Sequence, residues 1–252
     1  MSKTDLIIGR NPVIEALKSG RGISKVIIQK GASGSISKIY DLAKKNGIKI
    51  EQAEKDELDR LCKSKGHQGA VAFAAAHSFA SMKDIYARAE AGGEDALIVI
   101  LDEIEDPHNL GAIMRSAECA GACGIIVSKH NSCGLTETVA KTSAGAIEYM
   151  PCVQVTNIAK TIDELKKDGF WIAACDMNGS VYTEADMRGK LAIVIGNEGK
   201  GIRQLVKSKC DFVVSIPLLG QINSLNASNA AAIIMYEALR QRSEKRDRKS
   251  VV

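Results

Sequence analysis

Short aliphatic runs recur through the second half of the chain, each separated from the next by a stretch with helical spacing of apolar residues. The predicted strands cover residues 97–101, 124–127, 170–173, 191–195 and 212–216. Strands this apolar are buried on both faces, which is typical of a parallel sheet covered by helices. The pattern therefore predicts an α/β domain with a mostly parallel sheet from residue 96 onward.

The first 76 residues form a separate alternation of helices and strands. Helices are predicted from residue 11 or 12 to 17, over 35–45 and over 54–62, and strands over 25–29, 48–50 and 70–74. An αβαβαβ unit of about 75 residues is long enough for a small domain. Small and charged residues with Gly92-Gly93 predict a partly helical linker. We therefore expect domains at 1–76 and 96–252, joined by a linker at 77–95.

The last predicted helix runs from Ala227 to about Arg242 and precedes a basic tail. Its apolar face is made mostly of small residues: Ala230, Ala231, Ile233, Ile234 and Ala238. Such a face permits close packing against another helix.

Charge is distributed unevenly around a net value of +4. Residues 1–76 contain 14 Lys and Arg against 8 Asp and Glu, residues 77–239 contain 14 against 20, and residues 240–252 contain 6 against 2. Basic ends on an acidic body fit a module and a tail that bind nucleic acid, although basic ends also arise without that role.

Several classes of protein are excluded by the same inspection. No apolar run approaches the roughly 18 to 20 residues of a membrane-spanning helix, and the first thirty residues contain no secretory apolar core. The seven cysteines show neither a paired C-x-x-C nor a histidine at metal-ligand spacing. We expect a cytoplasmic protein with reduced thiols and no metal.

Ligands of open parallel sheets bind beyond the carboxyl ends of the strands, so the loops after residues 101, 195 and 216 are the candidate site. The first loop leads from Asn109 into a helix with Arg115; these residues are equally consistent with an N-cap and a surface charge. The second, G-N-E-G-K-G from Gly196, is neither a P-loop nor a dinucleotide fingerprint. It could also be an ordinary glycine-rich turn with a solvated Glu198.

The third loop is too rich in serine and asparagine for helix capping alone. Five such residues stand beside the apolar Leu218 and Leu225: Asn223, Ser224, Asn226, Ser228 and Asn229. Amides and hydroxyls between apolar walls suit an adenosine-like ligand better than a triphosphate.

Taken together, the three loops resemble the motifs of the SpoU/TrmH ribose 2′-O-methyltransferases. These motifs are N-x5-R, G-N-E-G-x-G and I-P-x-x-G-x-x-x-S-L-N-x-S, and they occur here in the family's order. Residues 4 to about 76 resemble the L30e-like substrate-binding domain of the family, with G-R-N-P-V from Gly9 and H-Q-G from His67 at its two ends. The whole chain resembles the bacterial 23S rRNA guanosine-2′-O-methyltransferase subgroup.

This resemblance implies a deep trefoil knot of the SPOUT type in the second domain, a homodimer, and methyl transfer from S-adenosyl-L-methionine to a ribose 2′-hydroxyl. The implied catalytic residues are Asn109, Arg115, Glu198, Ser224 and Asn226. The implied cofactor-binding residues are Gly196, Ile216, Leu218 and Leu225. Candidate RNA phosphate contacts are Arg10, Lys63 and Lys65.

The resemblance leaves three questions open. Arg115 acts either as a base or by positioning and polarising the hydroxyl, and the second role is favoured because a guanidinium scarcely loses its proton. Glu198 is expected to hold Arg115 or a backbone amide. The target is 23S rRNA or transfer RNA, and a non-catalytic RNA-binding protein with this fold is the alternative of a different class.

Overall fold

The computed structural model describes residues 4–63 and 65–249. Up to residue 75 the elements are β1 (Thr4–Ile8), α1 (Arg10–Lys18), β2 (Ile23–Gln29), α2 (Ile36–Lys45), β3 (Lys49–Ala53), α3 (Lys55–Cys62) and β4 (Ala70–Ala75). There follow α4 (Met82–Gly92), β5 (Leu97–Asp102), α5 (Pro107–Cys119), β6 (Gly124–Ser128), α6 (Glu137–Thr142), β7 (Cys152–Val155) and α7 (Ile158–Lys167). The last elements are β8 (Trp171–Val181), β9 (Leu191–Gly196), α8 (Gln204–Lys207), β10 (Phe212–Ser215) and α9 (Ala227–Lys249).

The chain divides into two compact units. Unit 1 comprises Met1–Ser78 and Leu135–Tyr149, and unit 2 comprises Phe79–Gly134 and Met150–Val252. Helix α4 lies within the stretch predicted as a linker. In the described part of the chain, no helix is both long and apolar enough to cross a membrane.

Unit 1 is built around a mixed sheet with the strand order β1-β4-β2-β3, in which β2 and β3 are parallel. The predicted αβαβαβ order is wrong because β1 precedes α1. This strand pairs with the distant β4, a contact that a local pattern does not report. Apolar clusters cover both faces of the sheet, so the neighbouring Ile7 and Ile8 point into different cores.

The segment Leu135–Tyr149 is tied to the rest of unit 1 by a cluster of charged and polar side chains. Tyr149 Oη donates to Glu15 Oε2 over 2.7 Å. Glu148 Oε1 accepts a hydrogen bond from Arg21 Nη1 at 3.0 Å and lies 3.3 Å from His77 Nε2. Burial alone would raise the pKa of Glu148, but hydrogen bonds and charges from His77 and Arg21 outweigh it and lower that pKa. Glu148 is therefore a buried carboxylate with basic partners.

Unit 2 contains a six-stranded sheet with the order β10-β8-β9-β5-β6-β7, in which every neighbouring pair is parallel. The predicted mostly parallel sheet is confirmed. Strand β7 was not predicted, because its four residues Cys152–Val155 include only two strongly β-forming side chains. It lies at the edge of the sheet.

Strand β8 departs from its partner β10 in the middle. Val213 pairs with Ala174, but the next residue, Val214, pairs with Ser180, so residues 175–179 bulge out of the ladder. A Cβ on Gly179 would lie 2.5 Å from backbone atoms of Val213. The bulge therefore directs residues 175–178 toward the carboxyl ends of the strands.

Helix α9 packs against α5 within the same chain. The buried residues of α9 that make this face include Ala231, Ile234 and Ala238, so the small-residue face is occupied inside one chain. The helix also continues to Lys249, although the sequence predicted that it ends at about Arg242 and is followed by a polar tail. Residues 250–252 of the predicted tail lie outside the described residues.

Candidate active site

The first candidate loop places Asn109 inside a helix and not at its cap. Asp106 Oδ1 accepts a hydrogen bond from the backbone N–H of His108 over 2.8 Å, and Pro107 follows at the first helical position. The N-cap alternative for Asn109 is therefore wrong, because Asp106 fills that position. Asn109 is 5% exposed, and its amide is available to the neighbouring loop.

The second loop folds back on itself. Asn197 and Gly201 exchange two backbone hydrogen bonds, of 3.1 and 2.8 Å. Asn197 Oδ1 also accepts hydrogen bonds from the N–H groups of Gly199 and Lys200. A Cβ on Gly196 would lie 2.3 Å from the carbonyl carbon of Gly201. The loop's own backbone therefore occupies the space that a side chain at position 196 would need, which is why a glycine is required there.

Glu198 joins the three loops. Its Oε1 accepts hydrogen bonds from Asn109 Nδ2 at 2.6 Å, from Asn226 Nδ2 at 2.9 Å and from the N–H of Ala227 at 3.3 Å. Asn226 Nδ2 also donates to Asn109 Oδ1 over 2.9 Å. We call Asn109, Glu198 and Asn226 the amide–carboxylate network. Although the Glu198 residue is exposed, its carboxylate is held and is not a solvated charge on a turn.

Asn226 has two roles because its side chain uses both ends. Its Oδ1 accepts hydrogen bonds from the N–H groups of Ser228 and Asn229, which caps the first turn of α9. Its Nδ2 belongs to the network. The start of α9 is thereby fixed relative to Glu198.

A cavity of about 300 Å³ lies on the other side of the second loop. Among its lining residues are all four predicted cofactor contacts and two predicted catalytic residues: Gly196, Ile216, Leu218, Leu225, Glu198 and Ser224. The bulge of β8 adds a wall that the sequence did not predict, made of Cys175, Asp176, Met177 and Asn178. These residues lie in the segment where the pairing register of β8 with β10 shifts, a feature that no local sequence pattern predicts.

The wall contributed by β8 carries one negative charge and one neutral thiol. Burial would raise the pKa of Asp176, but a hydrogen bond from Lys207, at 2.9 Å, outweighs it and lowers that pKa. Burial raises the pKa of Cys175 to about 11. The cavity thus offers carboxylates, backbone groups and apolar side chains. In the described residues, no group of three or more His, Cys, Asp or Glu could hold a metal ion.

Arg115 is not part of the network. It is exposed on α5, and within residues 4–63 and 65–249 no hydrogen bond or ion pair of Arg115 is found. Glu198 was expected to hold Arg115 or a backbone amide; it holds the amide of Ala227. Ser224 lines the cavity without joining the network.

In unit 1, the two end motifs of the predicted RNA-binding domain meet. The Arg10 guanidinium donates to the carbonyl oxygens of Gln68 at 2.7 Å and Ser33 at 2.8 Å. Lys63 and Lys65 are exposed beside this point. Arg10 therefore holds two loops together, whereas the two lysines face solvent.

Comparison with known proteins matches two families along the chain. Residues 96–236 match the SpoU rRNA methylase family, and residues 6–80 match the substrate-binding family of RNA 2′-O ribose methyltransferases. The chain belongs to the SpoU rRNA methylase family. As a member of it, this chain is an RNA methyltransferase that depends on S-adenosylmethionine.

Similar proteins span almost the whole of this SpoU family member. A Bacillus subtilis protein named as a TrmH family tRNA/rRNA methyltransferase is 45% identical over 241 residues, which cover 95% of this chain and 96% of the relative. The SpoU methyltransferase AviRb from Streptomyces viridochromogenes, solved in complex with AdoMet, has a TM-score of 0.80 and 27% identity, and the match covers 96% of this chain and 91% of AviRb. A solved RNA 2′-O ribose methyltransferase gives a TM-score of 0.80 at 25% identity, covering 95% and 89% of the two chains.

Proposed function

We propose that this SpoU family member transfers the methyl group of S-adenosylmethionine to a ribose 2′-hydroxyl of structured RNA, and that the target is a guanosine of 23S rRNA. The observation that carries the proposal is the amide–carboxylate network. It joins Asn109, Glu198 and Asn226 from three loops next to a cavity at the carboxyl ends of the strands. Sites of parallel α/β sheets are expected at this edge.

The cavity fits the cofactor by the chemistry of its lining. Leu218 and Leu225 offer apolar surface for an adenine, and backbone groups at Gly196 and Ile216 offer hydrogen bonds. The nearby Asp176 and Glu198 are carboxylates, which suit a ligand whose sulfonium and ammonium groups are positive. When bound, the cofactor supplies a methyl group on a good leaving group. The protein's own task is then to orient and activate the hydroxyl.

Arg115 is assigned to that activation. A guanidinium stays protonated in proteins, so it polarises the ribose oxygen and clamps a phosphate in preference to removing a proton. Its exposure on α5 leaves it accessible to RNA. Ser224 lines the cavity and is assigned to arranging the substrate and cofactor there.

Unit 1 is assigned to RNA binding. Lys63 and Lys65 are exposed next to loops that Arg10 holds together. We expect the two lysines to contact RNA phosphates and Arg10 to shape the surface on which they lie. Whether Arg10 also contacts a phosphate is open to test.

We also propose a homodimer formed through unit 2. The most exposed large hydrophobic side chains of the third loop and α9 are Leu219, Ile222 and Tyr236. A second copy of the chain would bury them, as expected for exposed apolar patches. Light scattering at micromolar concentration tests this state. We place the reaction in the cytoplasm, where the free cysteines of the chain stay reduced.

The test is transfer of labelled methyl groups from S-adenosylmethionine to total RNA from cells that lack this protein, with Arg115→Ala alongside. Label in one ribose of 23S rRNA, lost in the variant, supports the proposal. Label in the transfer-RNA fraction keeps the chemistry and replaces the target; the name of the Bacillus subtilis relative covers both RNAs and is consistent with either outcome. If the RNA acquires no label and the protein binds no cofactor, the non-catalytic RNA-binding alternative is favoured.

A further inference from the structure

The loop that carries Glu198 is pinned at its far end to a fully buried carboxylate. Asp102, the last residue of β5, is 0% exposed. Its Oδ1 accepts hydrogen bonds from Arg203 Nε at 2.9 Å and Nη2 at 2.6 Å. Its Oδ2 accepts one from the backbone N–H of Arg203 at 2.8 Å. One arginine thus occupies both oxygens of the carboxylate.

The near end of the loop is pinned to the next residue of the same strand end. Asn197 Nδ2 donates to the carbonyl oxygen of Glu103 over 3.0 Å. Glu103 has a φ of +61°, which is uncommon for a residue other than glycine. Its carboxylate lies 3.6 Å from Arg203 Nε. Both ends of the loop that contains Glu198 are therefore fixed to Asp102 and Glu103.

The same strand end also leads into α5, which carries Asn109. The position of Glu198 relative to Asn109 is therefore set through β5, by Asp102 and Glu103 on one side and by the start of α5 on the other. The hydrogen bond between Asn109 and Glu198 is short, at 2.6 Å. A shift of the loop by about 1 Å would lengthen this contact to about 3.6 Å, which is no longer a hydrogen bond.

We propose that the Asp102–Arg203 ion pair is a positioning element that holds Glu198 in contact with Asn109 and Asn226 during methyl transfer. This inference rests on the proposed function of the site. Asp102 is buried, but the Arg203 side chain is 48% exposed, and an ion pair that is open to solvent on one side is a weak source of stability. Its advantage is geometric: two N–H groups of the rigid guanidinium converge on Oδ1 while the backbone N–H of the same residue holds Oδ2. A lysine has no such pair of fixed donors.

Arg203→Lys is the informative variant, because it keeps the charge and removes the fork. Arg188→Lys is the matched control. Arg188 Nε and Nη2 bond to the two oxygens of Asp186 at 2.7 Å each, and both side chains are exposed. The control therefore removes the guanidinium of another arginine–aspartate pair in unit 2, away from the loop that carries Glu198.

The first readout needs no reaction. Hydrogen exchange of the peptide covering residues 196–203, measured without added cofactor, is expected to quicken about tenfold or more in Arg203→Lys and to stay unchanged in Arg188→Lys. Equal exchange in all three proteins would overturn the proposal. This measurement stands even if no RNA is methylated, so it separates failure of the inference from failure of the proposed function.

The second readout is a double-mutant cycle with Glu198→Gln. Arg203→Lys alone is expected to lower kcat about tenfold, with the KM for RNA changed less than about twofold. In the Glu198→Gln background the same change should cost less than about twofold, because the residue that Arg203 positions is already altered. Equal losses in both backgrounds would show that Arg203 does not act through Glu198 and would overturn the inference.

Discussion

Asn109→Asp is the substitution that tests the amide–carboxylate network most directly. Aspartate has the shape of asparagine, but it replaces the amide donor with a carboxylate oxygen. Asn109 Nδ2 lies 2.6 Å from Glu198 Oε1, and Asn109 is buried. Two negative charges would then be in contact, and one of them would lie on a buried residue. The substitution would also remove the hydrogen bond that the amide donates to Glu198 and disturb the one that Asn109 Oδ1 accepts from Asn226.

The cost can be bounded from this distance. Two unit charges about 2.6 Å apart repel by about 1.6 kcal/mol at a dielectric constant of 80 and by about 6 kcal/mol at 20. The pair can avoid the larger cost by binding one proton. At pH 7, protonating a carboxylate with an ordinary pKa of about 4.3 costs about 3.7 kcal/mol. We therefore expect Asn109→Asp to lower the free energy of unfolding at pH 7 by about 1.6 to 3.7 kcal/mol.

The pH dependence has a definite sign. Repulsion raises the pKa of the carboxylate pair in the folded variant above its unfolded value, so the folded state binds more protons as the pH falls. As the pH falls, the difference in the free energy of unfolding between wild type and Asn109→Asp should therefore shrink by up to about 1.4 kcal/mol per pH unit and nearly vanish near pH 4. Urea unfolding measures this difference. It can be followed by the fluorescence of Trp171, which is the single tryptophan of the chain and belongs to unit 2.

Asn157→Asp is the control for Asn109→Asp. Asn157 is the N-cap of α7 and accepts a hydrogen bond from the N–H of Lys160 at 3.0 Å. Aspartate caps a helix equally well, so the same change of charge should cost little there. If the two variants unfold alike between pH 5 and pH 8, Asn109 and Glu198 are not in contact in solution, and the reasoning about the site is refuted.

Three further outcomes are expected. In Gly196→Ala the new Cβ would lie 2.3 Å from Gly201, so this variant should lower the unfolding free energy of unit 2 by about 1–3 kcal/mol. Calorimetry should also show weaker binding of S-adenosylmethionine, and unchanged binding would contradict this expectation. Glu148→Gln should lower the unfolding free energy of unit 1 at pH 7 by about 1–3 kcal/mol, measured by circular dichroism. Because the folded pKa of Glu148 is lowered, the difference between wild type and variant should begin to shrink as the pH falls below about 4.3, the ordinary pKa of glutamate, and should be lost once the pH passes the lower folded pKa. A difference that does not shrink with falling pH contradicts the assignment. Lys63→Ala and Lys65→Ala should each reduce the salt slope of RNA binding by about 1, and unchanged slopes would direct attention to the basic C-terminal tail.

The sheet of unit 2 could be predicted because its strands are buried on both faces. Such strands leave uninterrupted aliphatic runs, as in Leu97–Asp102 and Leu191–Gly196, where nearly every residue is buried. Their order then places the three polar loops at one edge. The four predicted cofactor contacts line one cavity there, although their role in binding stays a prediction.

The elements that were missed depend on contacts distant in sequence. Strand β1 forms by pairing with β4, and the bulge of β8 exists only relative to β10. The segment Leu135–Tyr149 belongs to unit 1 through partners near the N-terminus, such as Glu15 and Arg21. No local pattern contains this information. The knot and the homodimer implied by the family resemblance likewise stay predictions.

The position of Asp102 shows how a positioning residue can be recognised without a motif. In the sequence, Asp102 is only the polar last residue of an aliphatic strand, and Arg203 is only one more charged residue after a glycine-rich loop. A carboxylate at the end of a central parallel strand is covered by the neighbouring loops and must find a cationic partner there, since burial without one is costly. The strands next to β5 in this sheet are β9 and β6, so the loops after these two strands are where that partner should be sought. The structure selects Arg203 from the loop after β9, which explains why the loop that presents Glu198 ends in an arginine.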